Sequence, residues 1–208
     1  LGSACIYPKT VSQPIKEDSL LSSKLEESNE GYAIAKITCL KYCQYIKEKY
    51  NKNFISIQPT NLYGVGDNFN LKSSHVLPAL VKKFTLAKEK NLNAVEIWGS
   101  GNQKREFLNV NDLAKAILFL LNTNIKDNYL NIGSGEEVSI KQLAMIIKKI
   151  TKYKGKVVFN KNYPDGVKKR IVDSKLINKL GWRAKIKLKI GLNEYCSYYY
   201  KEVMPYEK

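Results

Sequence analysis

Tyr32 and Lys36 stand four residues apart in Glu30-Gly31-Tyr32-Ala33-Ile34-Ala35-Lys36. On a helix that spacing puts a phenol and an ammonium on one face, within reach of a common ligand. A free phenol titrates near ~10, too high for easy proton transfer at neutral pH. A fixed cation beside it favours phenolate and lowers that value. The pair suits general acid/base work on a carbonyl or an alcohol. By itself Tyr-x-x-x-Lys is also what a plain solvated helix face offers, so its meaning depends on the residues around it.

The elements that must position the pair follow from the pattern of the chain. Ile34, Ile37, Leu40, Cys43 and Ile46 give an apolar helical stripe, which predicts a helix from about Asn29 to Tyr50. Glu26, Glu27 and Glu30 place negative charge at its start. Leu1 to Ile6 reads as the end of a buried strand, Pro8 to Glu30 as a polar loop, and Phe54 to Gln58 as a strand stopped by Pro59. A second helix covers His75 to about Lys90, with Pro78 in its first turn. Strands are expected at Val95–Trp98, Glu106–Leu108, Tyr129–Ile132 and Val157–Phe159. A helix capped by Asn111 or Asp112 runs to Leu121, and one capped by Ser139 runs to about Thr151. The last helices start at Asp173 and Leu188, the first of them ending at Gly181-Trp182. This alternation predicts an α/β fold with a parallel sheet.

Composition narrows the classes. The chain has 208 residues and a formal net charge of +16, from 35 basic and 19 acidic side chains. Only Arg105, Arg170 and Arg183 are arginine; the other basic residues are lysines scattered along the whole chain. That scatter describes a solvated coat rather than a nucleic-acid platform, and no nucleic-acid partner is expected. No apolar run reaches 18 residues, so no membrane span is expected, and no basic-then-apolar leader opens the sequence. Cys5, Cys39, Cys43 and Cys196 show no metal-like clustering with the single His75. Reduced thiols in a cytoplasmic protein, with no metal, are the expectation.

The company of Tyr32 and Lys36 is specific. Upstream stands Leu1-Gly2-Ser3-Ala4-Cys5-Ile6-Tyr7-Pro8; downstream stand Pro59-Thr60-Asn61-Leu62-Tyr63-Gly64 and Asp67-Asn68-Phe69. Further on come Ser74 to Leu80, Trp98-Gly99-Ser100-Gly101, Arg105-Glu106-Phe107-Leu108, Asn131-Ile132-Gly133 and Pro164-Asp165-Gly166. In this order they resemble the extended short-chain dehydrogenase/reductase family. Within it they are similar to the NADPH-dependent 3,5-epimerase/4-reductases of GDP-4-keto-6-deoxy-mannose.

The resemblance implies a set of roles. Ser3 hydrogen-bonds the sugar keto oxygen, Tyr32 gives a proton to it, and Lys36 holds the nicotinamide ribose. Pro59, Thr60, Asn61 and Leu62 line the nicotinamide of NADP(H). Cys5 is the base and His75 the acid for inversion beside the ketone, since epimerisation needs a proton taken on one face and returned on the other. Lys83, Trp98, Arg105 and Asp165 contact the nucleotide-sugar. Lys83 replaces a usual arginine, keeping the charge and losing the bidentate fork. Ala4, Gln103-Lys104 and Tyr163 also depart from the pattern. A homodimer built on the 29–50 helix is implied as well.

The implied architecture is the C-terminal part of a Rossmann-type doubly wound sheet, residues 1–66 with 110–135. A smaller α/β substrate-binding domain, 67–109 with 136–208, completes it. The Gly-x-x-Gly-x-x-Gly turn that opens such a fold is not in the sequence. An N-terminally truncated chain lacking on the order of 100 residues, about three βα units, is therefore expected, inactive alone. Another nucleotide-sugar 4-reductase or epimerase, and a non-catalytic remnant, remain as alternatives.

Overall fold

The computed structural model describes residues 1–206; Glu207 and Lys208 lie outside the described residues. The chain forms two compact units. The first is Leu1–Leu62, Glu106–Glu136 and Arg170–Lys185; the second is Tyr63–Arg105, Glu137–Lys169 and the chain from Ile186. Residues 170–185 thus pack with the first unit, whereas the sequence groups them with the second.

The first unit is organised by α1 (Glu30–Tyr50) and β1 (Ser56–Pro59). Ala33, Ile37 and Leu40 are the buried stripe of α1, and Asn51 ends it in the left-handed region at φ 49°. Strand β2 (Asn61–Tyr63) follows after Thr60. Helix α2 (Val76–Glu89) and strand β3 (Ala94–Trp98) belong to the second unit. β4 (Lys104–Asn109) leads into α3 (Val110–Leu121), whose cap is Asn109: its side chain accepts from the Asn111 N–H at 2.9 Å. The cap is therefore two residues before Asn111, and Asn111 and Asp112 fall in the first turn.

β5 (Tyr129–Ile132) pairs in parallel with β1, Ser56 opposite Tyr129 and Pro59 opposite Ile132. One apolar cluster contains Ile57, Leu108, Leu113, Ala116, Leu130 and Ile132; a second contains Ile6, Tyr7, Ile15, Ile37, Leu40 and Val172. β6 (Glu137–Ser139) precedes α4 (Ile140–Ile150), where Ser139 and Gln142 form a capping box. β7 (Lys156–Asn160) pairs in parallel with β3. β8 (Lys169–Arg170), α5 (Lys175–Lys179) and α6 (Leu188–Tyr198) complete the chain. In the second unit α4 packs against both α2 and α6, and Phe69 stacks on Tyr195 and meets Tyr199 at a tilt. These parallel strands and covering helices are the α/β, Rossmann-like arrangement expected.

Two local readings are corrected. Leu1–Ile6 is not a strand: after Gly2 N–H bonds the Ile57 carbonyl at 2.8 Å, the chain turns into a 3-10 turn at Ala4–Ile6. Ser3 causes the turn, because its hydroxyl accepts from the Cys5 N–H at 3.2 Å and diverts the backbone from ladder pairing. Asp173 lies outside α5 and serves it from there, its carboxylate accepting from Lys175 N–H at 2.9 Å. The short strands β2, β6 and β8 carry too few residues for a periodic signal.

Candidate active site

The first unit holds Ser3, Cys5, Tyr32, Lys36 and Pro59 to Leu62. Tyr32 and Lys36 stand near the start of α1, flanking the buried stripe: Tyr32 is exposed and Lys36 half-buried. The Tyr32 phenol is 49% exposed, so its hydroxyl can meet a ligand. Lys36 Nζ lies 5.6 Å from the Tyr32 ring centroid and donates to the Leu1 carbonyl at 3.1 Å. An ammonium has three donors, and two remain after that bond.

Ser3 and Cys5 occupy the turn that replaces the expected strand. Gln58 holds it: its Oε1 accepts from Ser3 N–H at 2.8 Å, and its Nε2 donates to Ser56 Oγ at 2.9 Å. Arg170 adds a second hold, Nη1 donating to the Ala4 carbonyl at 3.2 Å. Both Ser3 and Cys5 are half-buried, with their side chains beside a turn whose Ala4 and Ile6 are anchored in the core.

At the carboxyl ends of β1 and β5, Pro59 and Thr60 are buried and Asn61 is exposed. Open α/β sheets bind ligands at that end. Thr60 Oγ1 and Asn61 Nδ2 both donate to the Glu106 carbonyl, at 3.1 and 2.9 Å. Asn61 therefore keeps its amide oxygen as an acceptor.

The second unit holds His75, Lys83, Trp98, Arg105 and Asp165. His75 is the exposed N-cap residue of α2; its carbonyl accepts from Ala79 N–H at 3.1 Å. Lys83 donates to the Glu96 carbonyl at 3.0 Å and lies 5.3 Å from the Trp98 ring centroid. Partial burial holds its ammonium below the usual lysine range, opposed by nearby Glu96. Trp98 is 56% exposed rather than a core aromatic, and Tyr163 stacks on it at 4.3 Å and 11°.

Asp165 accepts from Ser100 N–H (2.6 Å), Ser100 Oγ (2.7 Å) and Gln103 Nε2 (2.6 Å). The two Ser100 bonds, the backbone one first, hold its carboxyl below the usual range. Gly99 sits against this carboxylate with φ +82°, leaving no room for a Cβ, which would stand 2.5 Å from Asp165 Oδ1. Arg105 Nη1 donates to the carbonyls of Lys104 and Val167 at 2.9 and 2.7 Å. Lys83, Trp98, Arg105 and Asp165 are thus gathered around one loop, residues 163–167.

The residues that hold the site were not legible as site residues. Gln58, Glu106 and Arg170 act through bonds to positions 45 to 166 residues away. Only the rarity of arginine in this chain marks Arg170 in advance.

The description NAD dependent epimerase/dehydratase family matches residues 1–133. The chain belongs to that family. The rice (Oryza sativa subsp. japonica) protein described as probable GDP-L-fucose synthase 1 is 46% identical over 208 residues, covering all of this chain and 63% of its own length. The solved GDP-L-fucose synthetase of Naegleria fowleri bound to NADP is 28% identical with a TM-score of 0.87, over 96% of this chain and 64% of that one. MlghC, a GDP-mannoheptose C4 reductase of Campylobacter jejuni solved with NADP bound, is 32% identical with a TM-score of 0.83, over 96% and 68%. The chain therefore spans a little under two thirds of the rice relative. No described helix is long and apolar enough to cross a membrane, and all four cysteines are free.

Proposed function

We propose that this chain carries the proton-transfer and nucleotide-sugar-binding residues of an NADP(H)-dependent 3,5-epimerase/4-reductase that converts GDP-4-keto-6-deoxy-D-mannose to GDP-L-fucose. The observation that carries the reading is the Tyr32–Lys36 pair on one face of α1, in a chain that also keeps Ser3, Cys5 and His75 in the family's positions. The residues fit the cofactor: an ammonium with spare donors stands beside an exposed phenol, and the amide oxygen of Asn61 is available at the carboxyl end of β1.

Cys5 takes the acidic proton beside the C4 ketone, and His75 returns one to the opposite face, inverting C3 and C5. Ser3 orients the keto oxygen by a hydrogen bond. NADPH, when bound, supplies the hydride for C4. Tyr32 then gives its phenolic proton to the C4 oxygen, while Lys36 steadies the phenolate left behind. Lys83, Trp98, Arg105 and Asp165 receive the nucleotide part, with Arg105 as the planar donor for diphosphate. A homodimer through the outer face of α1, in a cytoplasmic setting suited to free thiols, completes the reading.

The test is to express the protein from its full coding region and supply GDP-4-keto-6-deoxy-D-mannose with NADPH. The product should comigrate with GDP-L-fucose. A product reduced at C4 with C3 and C5 unchanged would instead identify a simple 4-reductase.

A further inference from the structure

Glu106 is fully buried in the first unit, and every part of it is used. Its carboxylate accepts from Gly135 N–H at 2.7 Å and Val172 N–H at 3.1 Å, with further bonds from Ser134. Gly133 packs so closely on the same carboxylate that no Cβ fits there. Its carbonyl accepts from Thr60 and Asn61. Burial pushes the Glu106 carboxyl above the usual range, opposed by the bonds from Gly135, Val172 and Ser134; the backbone groups that meet it are donors.

The donors come from three separate segments: residues 134–135 and 172 meet the carboxylate, and Thr60 and Asn61 meet the main-chain carbonyl. Thr60 and Asn61 lie at the end of β1, and residues 133–135 lie at the end of the neighbouring β5. Val172 lies two residues after Arg170, which grips the Ala4 carbonyl inside the Ser3–Cys5 turn. Ile15 ties the same segment down, bonding Ile171 and Asp173 on either side of Val172.

We propose that Glu106 is a positioning residue: its carboxylate, bonded at residues 134–135 and 172, fixes both the main-chain carbonyl that holds the Asn61 amide and the segment that holds the Ser3–Cys5 turn. This rests on the reading of Asn61 as a cofactor contact and Cys5 as a base. A buried group serving stability alone would join segments without regard to what they carry. Glu106 meets both strand ends where a ligand binds and the strand that holds the proton-transfer turn.

The experiment uses the protein expressed from its full coding region, with Glu106→Gln and, as a stability control, Leu113→Ala from the core of the same unit. NADPH affinity is read by fluorescence titration, and Cys5 alkylation by mass spectrometry of its peptide, both where circular dichroism shows each variant folded. Glu106→Gln, which turns an NH2 donor toward backbone donors, should weaken NADPH binding about tenfold. It should also speed Cys5 alkylation severalfold, while Leu113→Ala leaves both at wild-type values. Equal effects in the two variants, or none in Glu106→Gln, would overturn the proposal. If Glu106→Gln does not fold, Glu106→Asp, which withdraws the carboxylate by one methylene, decides: unchanged affinity and alkylation overturn it. A wild-type protein that binds NADPH but does not turn over the GDP-keto sugar sinks the substrate reading alone, because both comparisons stay measurable.

Discussion

Lys36 Nζ stands one helical turn beyond Tyr32, 5.6 Å from its ring centroid, and is tied to the Leu1 carbonyl at 3.1 Å. The tie runs from the helix to the segment that holds Ser3, two residues on. The ammonium thus keeps the start of α1 against the Ser3 turn.

Replacing Tyr32 by Phe should lower C4 reduction by about 10²- to 10⁴-fold, the range for a lost general acid. Cys5 and His75 remain, so exchange of the C3 and C5 protons should continue. Deuterium uptake from solvent into the 4-keto sugar is the readout. Loss of uptake together with reduction, in a folded variant, would remove the division of labour.

Cys5→Ser and His75→Gln should each block epimerisation. A hydroxyl is a far weaker base than a thiolate, and a glutamine cannot return a proton. Cys5→Ser, with Tyr32 intact, should yield a 6-deoxy sugar reduced without inversion. Unchanged GDP-L-fucose output from either variant would strike that residue from the mechanism.

Tyr163→Ala should uncover one face of Trp98. This 208-residue chain has two tryptophans, and Trp182 is buried, so iodide quenching of the chain reports mainly Trp98. Quenching should rise in the variant, and GDP should protect against it. Lack of GDP protection in the wild type would remove Trp98 from the nucleotide contacts.

Burial pushes the Cys196 thiol up to about 12. The thiolate is the reacting form, so at pH 8 its share is about one part in 10⁴. Cys39 is exposed. Iodoacetamide at pH 8 should label Cys39 within minutes and leave Cys196 unmodified until the second unit is unfolded, its slow rate rising about tenfold per pH unit. Comparable labelling of both in the folded protein would contradict the buried placement of α6.

Tyr42 and Tyr45 remain 66% and 62% exposed on α1. The proposed dimer should cover them. Light scattering of the protein at micromolar concentration should give twice the chain mass, and Tyr42→Glu with Tyr45→Glu should return it to one. A wild-type monomer would refute the dimer.

What the sequence determined by itself was what a few neighbouring residues decide. The i, i+4 register of Tyr32 and Lys36, the Ser139–Gln142 capping box and the strand Tyr129–Ile132 are all local. Their periods and caps act within one or two turns, so they are legible before any folding is known. The Ser3 turn was not: a run of small and apolar residues reads as strand, and the turn depends on a hydroxyl bonding two residues on while Gln58, 55 residues away, holds its amide. The same holds for Tyr163 laid on Trp98 and for the donors gathered on Glu106. Such contacts join segments that meet only when the chain closes, and a single side chain gives no local sign of its distant partner. Tertiary structure alone decided which groups hold the chemistry in place, because burial turned Glu106 from one more acidic side chain into an acceptor that two distant segments must satisfy.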